Sequence, residues 1–317
     1  MASPIFVSRR PTSLNLEAGA MGVGIALTSS ARSHQFLTAA EHALALKAAG
    51  VSVGLHLLFR GLSLAVGDVE SVCNVGVLVA CLTECALTSQ LDILFWNSLC
   101  KLSTQRKPSV VQLGVPPSRL QRRRRRLEAL ARFAQAHLHK AVLLLVLYPM
   151  SGHWERALVG LWSYTQLQSL LGQQLAAGAT ALLSLASLRF SILWHINCVC
   201  HLWTLDLCIR LLLAPYFGGV HFTKGEQDIW IQTRLGVLHG FVLLIYILIA
   251  RFPYISAPVF YIAHACTAAL IDRVTDPLPE NDTIGSKDMS RWTATQVLWL
   301  NERELVDAAR ANVGLPE

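Results

Sequence analysis

Leu205-Asp-Leu-Cys-Ile-Arg-Leu-Leu-Leu-Ala214 is apolar enough to lie in a bilayer, yet it carries an arginine at position 210. A guanidinium held in hydrocarbon costs several kcal/mol unless it is paired, hydrated or used. Arg210 is therefore the first candidate functional residue, and the segment around it sets the class of the molecule. The rest of the chain agrees. Of 317 residues 53% are apolar and only 15% are charged, with a mean hydropathy of +0.44, a balance that a solvated globular surface does not give. These features predict an all-α, multi-pass integral membrane protein with about five or six membrane-embedded helices, some tilted or interfacial.

A span needs about 20 apolar residues in a helix. Ala43 to Val66 is the first such run, interrupted by Lys47, His56 and Arg60, and Val72 to Cys100 is the second, carrying Glu84 and Asp92. Those charges suit tilted spans or membrane-surface helices better than simple lipid-facing ones. His139 to Tyr148 begins a short third segment ending at Pro149, and Ala157 to Leu188 and Phe190 to Phe217 supply two long helices. The first of these has a stripe of Gln166, Gln168, Gln173 and Gln174, which should face protein or water because unpartnered amides are costly in lipid. Beyond a polar hinge at His221 to Asp228, an apolar run from Leu235 to Ala250 resumes after Arg251-Phe-Pro253 and continues to Leu270. The prolines make it a kinked helix or two short ones.

The organisation expected from this pattern has five parts. Residues 1–35 contain Arg9, Arg10 and Arg32, many hydroxyl residues and a single acid, Glu17, which suits a mitochondrial targeting segment; the alternative is an N-terminal tail lying on the surface. Met21 to Thr28 is too short to span. Residues 36–100 form N-terminal membrane helices. Residues 101–133 read as a basic loop, with Pro108, Pro116 and Pro117 followed by Arg119 and the run Arg122 to Arg126, opposed only by Glu128. From Arg122 the spacing of Leu127, Leu130, Ala131 and Phe133 also permits an interfacial helix leading into the next span. Residues 134–272 hold the C-terminal membrane helices, and 273–317 form a soluble tail with a short amphipathic helix near Arg291 to Ala311.

The net charge of +7 sits near segment ends and in the basic stretch, where topology and anionic lipid explain it; anionic lipids near Arg122 to Arg126 are an expected partner and nucleic acid is not. Eight cysteines fall almost wholly within apolar segments without a Cys-x-x-Cys pair, which reads as reduced, buried thiols. No internal repeat of the kind that builds many transporters is visible.

The segment Leu205 to Gly219 resembles the arginine helix of subunit a of the F-type ATP synthase, through Leu205, Leu207, Ile209, Arg210, Leu211 and Gly218. The order of helices around Arg210 is similar too. The resemblance implies a divergent component of the proton-translocating sector in the mitochondrial inner membrane. Its partners would be a c-ring and other membrane subunits, and Arg210 would face the carboxylates of the ring. Where that family usually has an asparagine after the arginine, this chain has Ala214 and Pro215, and between Leu235 and Leu270 it offers only His239 and His264 as ionisable groups for proton access.

On a helical wheel at roughly 100° per residue, Asp206 lies about 40° and His195 about 60° from Arg210, with His201 opposite. His195, Asp206 and Arg210 are thus expected either to line a polar channel wall or, for Asp206 and Arg210, to form a structural pair. No cofactor and no metal are expected. A haem held by His195, His201, His239 or His264 is the alternative considered. No phosphate loop is present, so the chain would make no ATP by itself. Two further readings stay open. One is a structural accessory subunit of an ATP synthase or respiratory-chain complex. The other is a lipid-phosphate enzyme or transporter, prompted by Tyr148-Pro-Met-Ser-Gly-His153 with Arg189 and His195.

Overall fold

A computed structural model describes residues 16–32, 38–66, 74–104, 119–150, 152–220 and 222–275. The helices, in chain order, are α1 (Leu16–Ala31), α2 (Ala39–Val66), α3 (Val75–Thr104), α4 (Arg119–Leu147), α5 (His153–Leu171), α6 (Gln173–Ala186), α7 (Ile192–Val220), α8 (Lys224–Thr233), α9 (Leu235–Arg251) and α10 (Ser256–Val274). The 3-10 turn Pro253–Ile255 precedes α10, and no strand occurs among the described residues. Among the described residues five segments are long and apolar enough to cross a membrane: Glu41–Gly61, Val75–Leu102, Arg122–Leu147, Ile192–Val220 and Pro253–Val274. A sixth arises if α8 and α9, bent by 84° at Arg234, make one broken span.

The core lies where α3, α7, α9 and α10 meet, around Phe95, Ile209, Phe241 and Phe260, all fully buried. Helix α1 packs on α9, α2 flanks α10, α4 lies against α3 and α7, and the α5 and α6 pair covers α7 from its other side. Small residues set the closest of these contacts. A Cβ on Gly240 would strike the backbone of Gly19, and one on Gly22 would strike the backbone at Val237 and Phe241. This is how helices associate when lipid gives no hydrophobic force between them. Residues 16–31, read above as part of an address or a loose tail, therefore include a core element: Ile25 and Ala26 are buried in the main cluster. Residues 1–15 lie outside the described residues, as does the expected tail helix near Arg291 to Ala311.

Local chemistry explains the breaks. Gly172, at φ 79°, separates α5 from α6, a left-handed turn that favours glycine. The run from Ala157 to Leu188 is thus two helices, and Gln168, Gln173 and Gln174 are exposed around the break. The expected hinge at His221 to Asp228 includes the start of a helix, fixed by a capping box in which Thr223 and Glu226 satisfy each other's backbone N–H groups. The run through Arg251-Phe-Pro253 becomes two helices, α9 and α10.

The largest departure is at the basic stretch. The arginines from 122 to 126 are not in a loop; they form the first turns of α4, which runs continuously to Leu147. The apolar half of that helix packs Leu143 and Leu147 against Val159 and Ile196, and arginine is a good helix former. The start of α4 thus brings its arginines beside Arg210 of α7 and Lys224 of α8 in one cationic region. There too, buried Arg234 donates from Nε to the carbonyl of Val274 at 3.0 Å and lies 4.5 Å over the Trp230 ring.

Candidate functional site

Two acids on α3 create the demand that organises the interior. Glu84 is fully buried and Asp92 nearly so, and a carboxylate out of water must be paired or protonated. Arg125 of α4 supplies the cation for both: one guanidinium nitrogen reaches Asp92 Oδ1 at 2.6 Å and the other contacts Glu84 Oε1. A kink at Leu87, between the two acids, bends α3. Within it Thr88 donates to the carbonyl of Glu84 and accepts from Arg126 Nε at 2.9 Å. Arg126 thus docks on the hydroxyl beside the acids.

His264 of α10 closes the network. Its Nδ1 lies 3.0 Å from the carbonyl oxygen of Phe260. A carbonyl only accepts, so that nitrogen carries the proton. Its Nε2 faces Glu84 Oε2 at 3.4 Å, with both side chains at zero exposure. Two opposed lone pairs repel, so the contact is attractive only with a proton on one partner. Glu84 and His264 thus meet in the dry centre of the bundle in a geometry that one shared proton would join.

Arg210 sits nearer the basic end of α7. Its Nε donates to Asp206 Oδ2 at 2.8 Å, the i to i+4 pair expected from the sequence, and a second nitrogen donates to Asp228 Oδ1 on α8, also at 2.8 Å. The side chain remains 27% exposed and Asp228 53%, so this pair meets solvent while the Arg125 network does not. A cavity of about 370 Å³ lies between α4, α7 and α8 and is lined by both Arg125 and Arg210, together with Arg124, Arg132 and Gln227. It connects the two charged groups.

At the opposite end a neutral polar cluster joins three helices. Tyr246 Oη of α9 lies 2.6 Å from His201 Nδ1, 2.9 Å from Thr204 Oγ1 on α7, and accepts from Asn74 Nδ2 at 3.2 Å.

Of the three residues expected on one channel wall, the structure brings together Arg210 and Asp206 and separates His195. His195 is buried with Nε2 2.9 Å from Ser163 Oγ of α5, and the separation of fifteen positions along α7 puts about 22 Å between it and Arg210 along the helix axis. Sharing a wheel face does not place two residues at one depth. The lipid-phosphate group is not assembled: His153 and Arg189 are exposed, and His153 lies about 15 Å along α5 from the Ser163 partner of His195. The four histidines considered for haem each meet a protein group instead, His239 through the carbonyl of Leu235 at 2.9 Å. Among the described residues no three His, Cys, Asp or Glu side chains converge as a metal site, and seven cysteines are free thiols.

No protein-family model, curated protein or solved structure matches this chain.

Proposed function

We propose that this chain is a divergent subunit-a-like component of the proton-translocating membrane sector of an F-type ATP synthase, working in the mitochondrial inner membrane beside a ring of carboxylate-bearing subunits. The observation that carries this reading is the file of ionisable groups from the basic cavity, through Arg210 and Arg125, to the Glu84 and His264 pair. Intramembrane charges are expensive and are placed where a proton or ion pathway uses them. The resemblance around Arg210 supplies the type of pathway. On the last helices, where His239 and His264 are the groups for proton access, Glu84 arrives from α3 to meet His264 on α10.

In this mechanism water in the cavity brings protons to the level of Arg125, and the Glu84 and His264 pair takes up and releases one proton in the dry interior. Arg210 remains charged at any working pH. It favours the ionised form of a ring carboxylate brought opposite it and blocks direct passage of protons past that point. Asp228, on a separate short helix and half exposed, is the counterion that such a carboxylate displaces; Asp206 stays as the fixed partner.

The accessory-subunit reading draws on a different observation: Arg210 is already neutralised by two acids, as a purely structural charge would be. Glu84→Gln separates the two. The amide keeps the size and leaves Arg125 paired with Asp92, so assembly persists, but it cannot carry an exchangeable proton. Proton-driven ATP synthesis in isolated organelles is expected to fall on the order of 10²-fold, the usual scale for removing a proton-transfer group. Unchanged synthesis would leave the accessory reading in place.

A further inference from the structure

The α5 and α6 pair stops halfway along the neighbouring span. Helices α4 and α7 are antiparallel: the start of α4 lines one cavity with Arg210 and Gly218, near the end of α7, while Leu143 and Leu147, at the end of α4, pack on Ile196, near the start of α7. Helix α5 then runs beside α7 in the same direction, with Ser163 against His195 and, four residues further on in each, Leu167 clustered with Val199. That register brings the turn at Gly172 about level with Thr204, about 18 Å from the start of α7 and about 24 Å from its end. Helix α6 returns antiparallel to α5, since a Cβ on Gly160 would meet Ser184 Oγ at 3.6 Å. Its 14 residues make a helix about 21 Å long, too short for a hydrocarbon core of about 30 Å. In a bilayer crossed by α4 and α7, the pair therefore enters and leaves on the side where α7 begins, with its tip near mid-depth.

That tip is polar and uncovered. Gln168, Gln173 and Gln174 are exposed around Gly172, and an amide that faces hydrocarbon without a partner is costly. From Gln174 the exposed face of α6 continues through Gly178 and Ala181, and a Cβ on Gly178 would meet nothing. The helix has no charged residue and packs chiefly on α5, so this face turns away from the bundle. A second copy of the chain fits it. Two copies inserted the same way round are related by a two-fold axis along the membrane normal, so each residue meets its counterpart at its own depth. Amide then meets amide, with donors and acceptors on both sides, and Gly178 and Ala181 meet small residues that let the backbones approach. Symmetry guarantees the polar group at the right depth, which it does for no other partner. We propose that α5 and α6 form a re-entrant hairpin through which two copies of this chain pair, Gln174 bonding to the partner's Gln174 and α6 packing on α6 along Gly178 and Ala181. The pairing needs the chain to span a bilayer and does not depend on the proton-translocation reading.

The test joins the mass of the purified full chain in mild detergent, read by light scattering, to oxidative cross-linking of the chain in its membranes. The wild type is expected to be a dimer. Ala181→Cys should form a disulfide-linked dimer under a mild oxidant, whereas the wild type and Ala141→Cys, at an exposed position on α4, should not. Gly178→Leu has room within its own chain and should weaken the dimer on the order of tenfold, the scale of one interhelical contact in a membrane, at unchanged abundance. Four results would overturn the proposal. They are a monomeric wild type, equal cross-linking at Ala141→Cys, a cross-link from Ala181→Cys to a protein of different mass, and labelling of Gln174→Cys in membranes by an impermeant thiol reagent, which would give the tip to water.

Discussion

Arg210→Gln is expected to abolish proton-driven ATP synthesis while leaving the protein in the membrane at normal abundance. Two charges 4 Å apart at an effective dielectric of 20 interact by about 4 kcal/mol, so losing the cation opposite a ring carboxylate corresponds to a rate change on the order of 10³-fold. The fold has less at stake. Asp206 and Asp228 retain access to solvent, with side-chain exposures of 15% and 53%, so neither is stranded when the guanidinium goes. Passive proton leak, read with a pH-sensitive dye in the same membranes, should rise because the fixed positive barrier is gone. Arg210→Lys keeps the charge but cannot hold Asp206 and Asp228 through one planar fork, and should retain part of the synthesis. Normal synthesis in Arg210→Gln would make the residue a structural partner of Asp206 and remove it from the pathway.

Arg125→Met is expected to have the opposite profile, with its main effect on stability. The substitution keeps an apolar stem against α3 but leaves Glu84 and Asp92 buried without their cation, and breaking a buried pair in this way costs about 3–5 kcal/mol. Thermal unfolding in detergent should shift strongly downward and membrane abundance should fall with it. The triple variant Glu84→Gln, Asp92→Asn, Arg125→Met removes the uncompensated charges together and should recover most of the loss. If Arg125→Met unfolds like the wild type, the two carboxylates are not held by Arg125. The triple variant also distinguishes stability from the proposed transport: it restores the fold yet lacks the carboxyl of Glu84, so proton-driven synthesis should remain absent.

The all-helical class with helices of membrane length, most of the helix positions and the Arg210 with Asp206 pair were legible because they depend on local composition and on i to i+4 geometry. What escaped was long-range. Glu84 and Asp92 stood out as costly acids in an apolar run, and at eight residues they lie about 80° apart on one side of α3, within reach of one cation on a facing helix. Nothing local identified that cation as Arg125, because five consecutive arginines look alike until the buried face of α4 is known. His264 was visible as an ionisable residue in the last span, whereas its pairing with Glu84 joins positions 180 residues apart. His195 failed for the converse reason: angular position was right and depth was ignored. The α1 helix was missed because its packing rests on glycines at 19, 22 and 240, and small residues give a weak hydropathy signal even where they set the closest contacts.

The central claim, that this chain belongs to the proton-translocating sector, is tested most directly by purifying the affinity-tagged protein from its native membranes in mild detergent and identifying its stoichiometric companions. The reading requires a ring-forming subunit with one mid-membrane carboxylate, together with an ATP-hydrolysing head whose activity is coupled to proton pumping in reconstituted vesicles. Recovery of the chain alone, or within an assembly that has no such ring, would contradict it.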